Sequence, residues 1–188
     1  MNVSLILLLI IVVAVVILVM VYNRLVALRQ TCNQAWGDID VQLKQRYDLV
    51  PNLVETVKGY ASHERETLDA VIAARNAAMA AGDMKDHSQA ENALTGALRQ
   101  VFALAEAYPD LKANTNFLQL QRELADIENK IAAARRFFNN AVAEFNTAQE
   151  QFPAALFASQ FGFSPRDFFE VNASERAAVE AAPQVTFN

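Results

Sequence analysis

The chain has 188 residues, enough for one domain with a hydrophobic core, and 53% of them are apolar. Glycine and proline number five each, too few for a turn-rich β-fold, while good helix formers dominate the middle of the chain. The net charge of −5 and the lack of a basic face argue against a nucleic-acid partner, and a single cysteine excludes an internal disulfide framework. We therefore predict an all-α protein.

The N-terminal region contains an unbroken apolar run, Leu5–Val21, with Tyr22 directly after it. As a helix this run is roughly 26 Å long, close to the thickness of a bilayer's hydrocarbon core, and tyrosine suits the membrane–water interface. A cleaved signal peptide is the alternative, but Met1–Ser4 carry no charged side chain and no small-x-small cleavage site follows. We predict an uncleaved transmembrane helix, which makes the lipid bilayer a partner.

The orientation of this helix is predicted from the basic residues beside it. Arg24 and Arg29 follow the apolar run, and no lysine or arginine precedes it. Because basic residues are retained on the cytoplasmic side, we expect the N-terminus outside and the rest of the chain in the cytoplasm.

Apolar residues continue at helical spacing after Tyr22, so the transmembrane helix is predicted to extend to about Gln45. The positions are Leu25, Leu28, Cys32, Ala35 and Ile39. Cys32 belongs to this row, and we interpret it as a small apolar helix residue.

Pro51 is the first helix breaker, since it lacks an amide hydrogen and its ring clashes with the carbonyl one turn back. We expect a break or sharp kink near residues 48–52, with Asp48 as a possible cap, and a second long helix to about Ala81. A turn at Pro51 gives four antiparallel helices, whereas a kink gives one very long helix with two partners.

The next predicted elements are a loop over residues 82–87 and a helix over 88–107. Ser88 and Glu91 have the spacing of a capping box at the start of that helix, and Tyr108-Pro109 ends it. A short connector follows, after which Asn116 can cap the next helix.

The longest predicted helix covers residues 117–152, where apolar residues recur at alternating steps of three and four. They are Phe117, Leu120, Leu124, Ile127, Ile131, Ala134, Phe138, Ala141, Phe145, Ala148 and Phe152. A helix of roughly 54 Å needs long partner helices to cover such a row. This pattern predicts an antiparallel three- or four-helix bundle with coiled-coil spacing.

The C-terminal tail is rich in phenylalanine, with seven of the twelve in the last 37 residues. We predict that it packs on the bundle, anchored by Phe161-Gly162-Phe163 and Phe168-Phe169; the alternative is that it dips into the membrane or clasps a partner. Residues 171–182 are predicted to be mobile or weakly helical, and residues 183–187 extended. The predicted domains are therefore an anchor (1–22), a helical bundle (23–152) and an aromatic tail (153–188).

No stretch has the pattern of a catalytic or metal site. His63-Glu64 begins like a zinc-protease motif, but Thr67 stands where the second histidine is needed. No Glu-x-x-His pair of a di-metal bundle occurs either. We therefore predict no catalytic, cofactor-binding or metal-ligating residues and no cofactor.

Several short strings along the whole chain are distinctive in combination. They are Tyr22-Asn23-Arg24-Leu25-Val26, Ala35-Trp36-Gly37-Asp38-Ile39-Asp40-Val41-Gln42-Leu43-Lys44, Arg46-Tyr47-Asp48-Leu49-Val50-Pro51-Asn52-Leu53-Val54, Lys58-Gly59-Tyr60-Ala61 with His63-Glu64, Phe152-Pro153, Phe161-Gly162-Phe163 and Phe168-Phe169-Glu170. Together they resemble the LemA family of bacterial membrane proteins. The resemblance implies one N-terminal anchor in the bacterial plasma membrane and an antiparallel helical bundle, and it implies no enzyme activity.

Three functional hypotheses follow. The first is a membrane-anchored, non-enzymatic structural protein that self-associates or scaffolds membrane proteins and organises or remodels the bilayer. The second is a membrane-proximal sensor or signalling adaptor. The third is an enzyme or ligand binder with a site between helices, for which the polar residues near Pro51 are the candidates: Asp38, Asp40, Tyr47, Asp48, Asn52, His63 and Glu64.

Overall fold

A computed structural model describes residues 3–82 and 84–169, and within these ranges it contains helices and no strand. The helices are α1 (Val3–Lys58), α2 (Arg65–Ala80), α3 (Met84–Ala105), α4 (Pro109–Lys112) and α5 (Thr115–Glu150). Two short 3-10 helices follow, Ala154–Leu156 and Ser159–Phe161. The predicted all-α class, with a long apolar helix at the N-terminus, is confirmed.

The described residues form two compact units. The first unit contains residues 3–41 of α1 together with residues 131–168, and the second contains residues 42–130 together with Phe169. The domain boundaries predicted at residues 22 and 152 stay predictions.

In the first unit, α1 and α5 pack antiparallel through aromatic side chains. The ring of Trp36 on α1 lies 5.6 Å from that of Phe138 on α5, edge to face. Further along α5, Phe145 contacts Phe163, and Phe163 also contacts Tyr22, which lies earlier on α1. Contacts that advance along α5 while receding along α1 establish the antiparallel direction.

The predicted apolar row of α5 is confirmed, and the helix begins and ends two residues earlier than predicted. Eight of its positions are buried: Phe117, Leu124, Ile127, Ile131, Phe138, Ala141, Phe145 and Ala148. Phe152, predicted as the last position of the row, lies beyond the helix and is 81% exposed. The predicted cap at Asn116 is wrong, because the side-chain oxygen of Asn114 accepts the bond from the amide of Phe117 at 3.0 Å.

In the second unit, α2 and α3 pack against each other, and polar bonds join α1 to α2, α3 and α5. Its core is built from apolar residues of the C-terminal part of α1 and of α3, most of them fully buried. They include Leu43, Val50, Leu53, Val57, Leu94, Leu98 and Val101.

Of the two alternatives at Pro51 the turn is wrong, because α1 continues through Pro51 to Lys58 as one very long helix. A proline at this position deprives the carbonyl four residues earlier, that of Tyr47, of its helical partner. Here the Nε of Arg75 on α2 donates to that carbonyl at 2.7 Å, so the orphaned acceptor is satisfied from a neighbouring helix. The real interruption lies at residues 59–64, and α2 then begins at Arg65 rather than just after Pro51.

The predicted capping box is also wrong, because α3 begins at Met84 and contains both Ser88 and Glu91. Both side chains are buried, and Glu91 pairs with Arg46 of α1 instead of returning to the helix start. Residues 84–87, predicted as loop, form the first turn of α3.

The described part of the tail packs on the protein through two of its four predicted anchors, Phe163 and Phe169, whereas Phe161 and Phe168 are exposed. Phe163 is buried between Tyr22 and Phe145, and the guanidinium of Arg29 lies 5.1 Å from its ring centre. The side chain of Asn146 exchanges two 2.9 Å hydrogen bonds with the backbone of Arg166. Phe169 is buried as well, whereas the predictions for residues 171–187 lie outside the described residues.

Candidate functional site

A buried ionic cluster in the second unit is centred on Arg46, whose side chain is almost completely enclosed. Its Nη1 donates to Glu128 of α5 at 2.7 Å and to the hydroxyl of Thr95 on α3 at 3.1 Å. Its Nη2 forms an ion pair with Glu91 of α3. One guanidinium therefore links three helices of this unit.

The two carboxylates of the cluster have different surroundings. Glu91 is fully buried and accepts a hydrogen bond from the hydroxyl of Tyr47 in addition to the contact with Arg46. The side chain of Glu128 is 40% exposed and also accepts a long bond from Thr95 at 3.4 Å. Glu91 thus depends on the protein for its stabilisation, whereas water reaches Glu128.

Burial dominates the electrostatics of Arg46. Removal of the guanidinium from water lowers its pKa from the ordinary value, and the charge of Glu128 opposes this effect. Because an arginine starts from so high a pKa, the side chain stays charged and needs its carboxylate partners.

The sequence contains a signal for this cluster, although we did not predict the cluster from it. Arg46 falls in the apolar row of α1, seven residues after Ile39, and Glu91 lies three residues before Leu94 in the apolar row of α3. Charged residues at core positions of two helices are the expected signature of a buried ion pair.

The polar residues proposed from the sequence do not converge. Tyr47 joins the cluster, but the side chains of the others are exposed or form separate contacts; Asp38, Asp40, Asp48, Asn52 and His63 are exposed. Glu64 is half-buried and accepts a hydrogen bond from the hydroxyl of Tyr108 at 2.9 Å, which raises the pKa of Tyr108 above its ordinary value.

A cleft of about 210 Å³ lies beside the cluster and is lined in part by Arg46, Arg99 and Phe102. Ligand pockets usually measure roughly 300–1,000 Å³, so this cleft is small for a substrate. Within residues 3–82 and 84–169, no group of three or more His, Cys, Asp or Glu side chains is placed to hold a metal ion.

Cys32 lies in the first unit and is fully buried in the apolar row of α1, as the spacing predicts. Burial raises the pKa of its thiol, while the nearby charge of Arg166 lowers it to a smaller extent. The thiol is thus kept in its protonated, unreactive form.

The N-terminal part of α1 is apolar and uncovered. The most apolar 18-residue window of α1 has a mean hydropathy of 3.6, and none of that window is buried by the protein itself. Large aliphatic side chains from Val3 to Met20 are 38–76% exposed. So large an apolar surface fits a membrane anchor.

Comparisons with known proteins identify the family of this chain. The model of the LemA family matches residues 35–187. The chain is 25% identical to Magnetosome protein MamQ of Magnetospirillum gryphiswaldense, over 80% of this chain and 65% of that protein, so it spans just under two-thirds of that relative. It is 26% identical to Protein LemA of Metamycoplasma hominis, over 85% of this chain and 74% of that protein. Since the family model covers most of its length, this chain belongs to the LemA family of membrane-associated proteins.

Proposed function

We propose that this protein is a membrane-anchored, non-enzymatic scaffold that self-associates or holds other membrane proteins and thereby organises the bilayer. The observation that carries the proposal is the continuity of α1, which leaves the apolar span and enters the folded part of the chain without interruption. A helix without a break transmits position and orientation, so a partner held by the first unit is held at a defined distance from the membrane.

The charged groups of the second unit support a structural rather than a catalytic role. Arg46, Glu91 and Glu128 are engaged with one another, and the cleft beside them is small. Side chains that bridge three helices stabilise the packing of those helices. A catalytic group, in contrast, has to be accessible to the substrate for hydrogen bonding. The cleft beside Arg46 is a feature that favours the third hypothesis, but its volume argues against it.

Exposed apolar side chains outside the span supply contact surfaces for partners. Phe137 on α5 is 53% exposed in the first unit, and Met79 on α2 is 55% exposed in the second. Large aromatic and methionine side chains are enriched at protein interfaces. We assign self-association to the surface around Phe137, because it belongs to the unit that carries the anchor.

The orientation belongs to the same proposal. Arg24 and Arg29 follow the span, so the N-terminus lies outside and the chain after the span lies in the cytoplasm, at the bacterial plasma membrane. A fluorescent protein fused to the C-terminus should fluoresce in cells, since such a reporter folds in the cytoplasm. A dark fusion together with an active periplasmic reporter would reverse the orientation.

The decisive experiment is crosslinking followed by native mass spectrometry of the full-length protein in nanodiscs. A defined homo-oligomer is expected, and Phe137→Glu should reduce the oligomeric fraction. Ala132→Glu is the matched control, because Ala132 is also exposed on α5 but points roughly 140° away around the helix.

The possible outcomes separate the hypotheses. A monomer that copurifies with one specific membrane protein would favour the adaptor role, and the identity of that protein would define the function. A monomer without any membrane partner would overturn the proposal.

A further inference from the structure

We propose that residues 152–161 form a second membrane contact: Phe152, Leu156 and Phe161 insert into the interface of the leaflet from which α1 emerges. This inference goes beyond the proposed function. It requires the anchor but does not depend on self-association.

The first argument is the position of Phe161 relative to the end of the span. Tyr22 directly follows the apolar run Leu5–Val21 and therefore marks the level of the membrane–water interface. The ring of Phe161 lies 5.4 Å from that of Tyr22, edge to face. Two rings in contact lie at nearly the same depth, so Phe161 is at the interface as well.

The second argument is the register between α1 and α5 in the first unit. The rings of Trp36 and Phe138 are in contact, and the two helices are antiparallel. Tyr22 lies fourteen residues before Trp36, and Phe152 lies fourteen residues after Phe138. The first interval corresponds to about 21 Å along a helix. α5 ends at Glu150, twelve residues or about 18 Å after Phe138, so it ends close to the level of Tyr22, and Phe152 follows two residues later. Phe152 thus reaches the interface independently of the contact made by Phe161.

The third argument is the exposure of this segment. Phe152 is 81% exposed, Leu156 67% and Phe161 43%, although the neighbouring Ala154 and Ala158 are buried. Three large apolar side chains of this segment therefore point outward, while two of its alanines face the protein. Three large apolar side chains concentrated in ten residues are the mark of an interaction surface rather than of scattered exposure.

The composition of the segment selects the bilayer as the occupant. No charged side chain occurs between Glu150 and Arg166, so insertion removes no charge from water. Arg24 and Arg29 lie on α1 just beyond the span, where they can meet anionic headgroups. The surface is continuous with the membrane-embedded part of α1, whereas a protein partner would have to displace lipid to reach it.

Tryptophan fluorescence in bilayers of brominated lipid tests this inference on the full-length protein. In a Trp36→Phe background, Leu156→Trp and Phe161→Trp place the single indole in the segment. Ala132→Trp is the matched control: Ala132 is exposed in the same unit but lies twenty residues before Phe152 along the chain, well away from the interface.

Emission from both segment reporters should fall about twofold or more on brominated lipid, because an interfacial indole lies at the headgroup–acyl boundary. The control reporter should be unaffected. Leu156→Trp replaces a largely exposed side chain, so its fold should be intact, and circular dichroism verifies this for each variant.

Two results would overturn the inference. One is quenching of the segment reporters no stronger than that of the Ala132→Trp control. The other is a blue-shifted reporter shielded from both brominated lipid and aqueous acrylamide, which would mean that protein covers the segment. Neither result depends on the oligomeric state, so the scaffold proposal would be judged separately.

Discussion

Replacing Arg46 by methionine tests whether the ionic cluster stabilises the second unit. The substitution keeps most of the aliphatic volume but removes the charge that faces Glu91 and Glu128. Because Glu91 is fully buried, its carboxylate would be left without its counter-ion in a poorly hydrated site. Loss of one partner of a buried pair costs about 3–5 kcal/mol.

The two carboxylates should respond very differently. The side chain of Glu128 is 40% exposed, so water replaces much of its interaction with Arg46. Glu128→Gln should therefore lower the free energy of unfolding by about 1 kcal/mol or less. Arg46→Met combined with Glu91→Met should regain most of the stability lost in Arg46→Met, because apolar side chains of similar volume replace a buried ion pair at little cost.

Thermal unfolding of the full-length protein in one detergent, followed by its helical circular dichroism, provides the measurement. For a chain of this size, each kcal/mol corresponds to a shift in Tm of about 2–4 °C, so Arg46→Met should lower the Tm by roughly 10 °C. The reasoning would be refuted if the double variant were less stable than Arg46→Met, or if Glu128→Gln were equally damaging.

Three further predictions concern single side chains. Arg75→Ala should lower the free energy of unfolding by about 1–3 kcal/mol, because the carbonyl of Tyr47 loses its donor. This loss should be smaller in a Pro51→Ala background, where the restored amide of residue 51 reaches that carbonyl. A double-mutant cycle of Tm values that shows no coupling would contradict this. Cys32 should react with a thiol reagent much more slowly in the native than in the denatured protein, since burial raises its pKa and blocks access; equal rates would refute this. The pKa of Tyr108 is raised chiefly by its hydrogen bond to Glu64, so that bond stabilises the fold below the ordinary tyrosine pKa of about 10 and is lost as the pH rises through the raised pKa. The difference in phenolate absorbance between wild type and Tyr108→Phe should therefore titrate at a higher pH than a free tyrosine. Glu64→Gln should abolish this increase.

The features predicted correctly from the sequence are those encoded in local periodicity. The row from Phe117 to Ala148 specifies α5, because apolar residues at helical spacing have to be covered together. The run Leu5–Val21 specifies the apolar N-terminal part of α1, whose length fits a membrane anchor. In both cases the information lies within one segment, and no knowledge of a partner is needed.

The turn considered at Pro51 and the capping box predicted at Ser88 are wrong because the deciding partner is distant in sequence. The carbonyl of Tyr47, which has no helical donor because of Pro51, accepts a hydrogen bond from Arg75. Glu91, which has the spacing of a capping box, forms an ion pair with Arg46 instead. Local rules assume that the nearest backbone group is the available partner. A donor on another helix makes that assumption invalid, and the periodicity of one helix carries no information about such a donor.

The two units are stabilised by different kinds of side-chain contact. In the second unit, charged and polar side chains such as Arg46 form ion pairs and hydrogen bonds with specific partners on other helices. These pairings favour a single packing arrangement of the helices. In the described part of the first unit, interlocking rings such as Trp36 with Phe138 and Tyr22 with Phe161 dominate, next to a stretch without charge. Rings of this kind function equally well against protein and at the edge of a bilayer. A unit that carries the apolar span has to remain stable at the boundary between water and lipid. Ion pairs would be costly there because their charges would be removed from water. Aromatic packing in the anchored unit and ionic matching in the other are therefore the arrangement expected of a protein that works at a membrane surface.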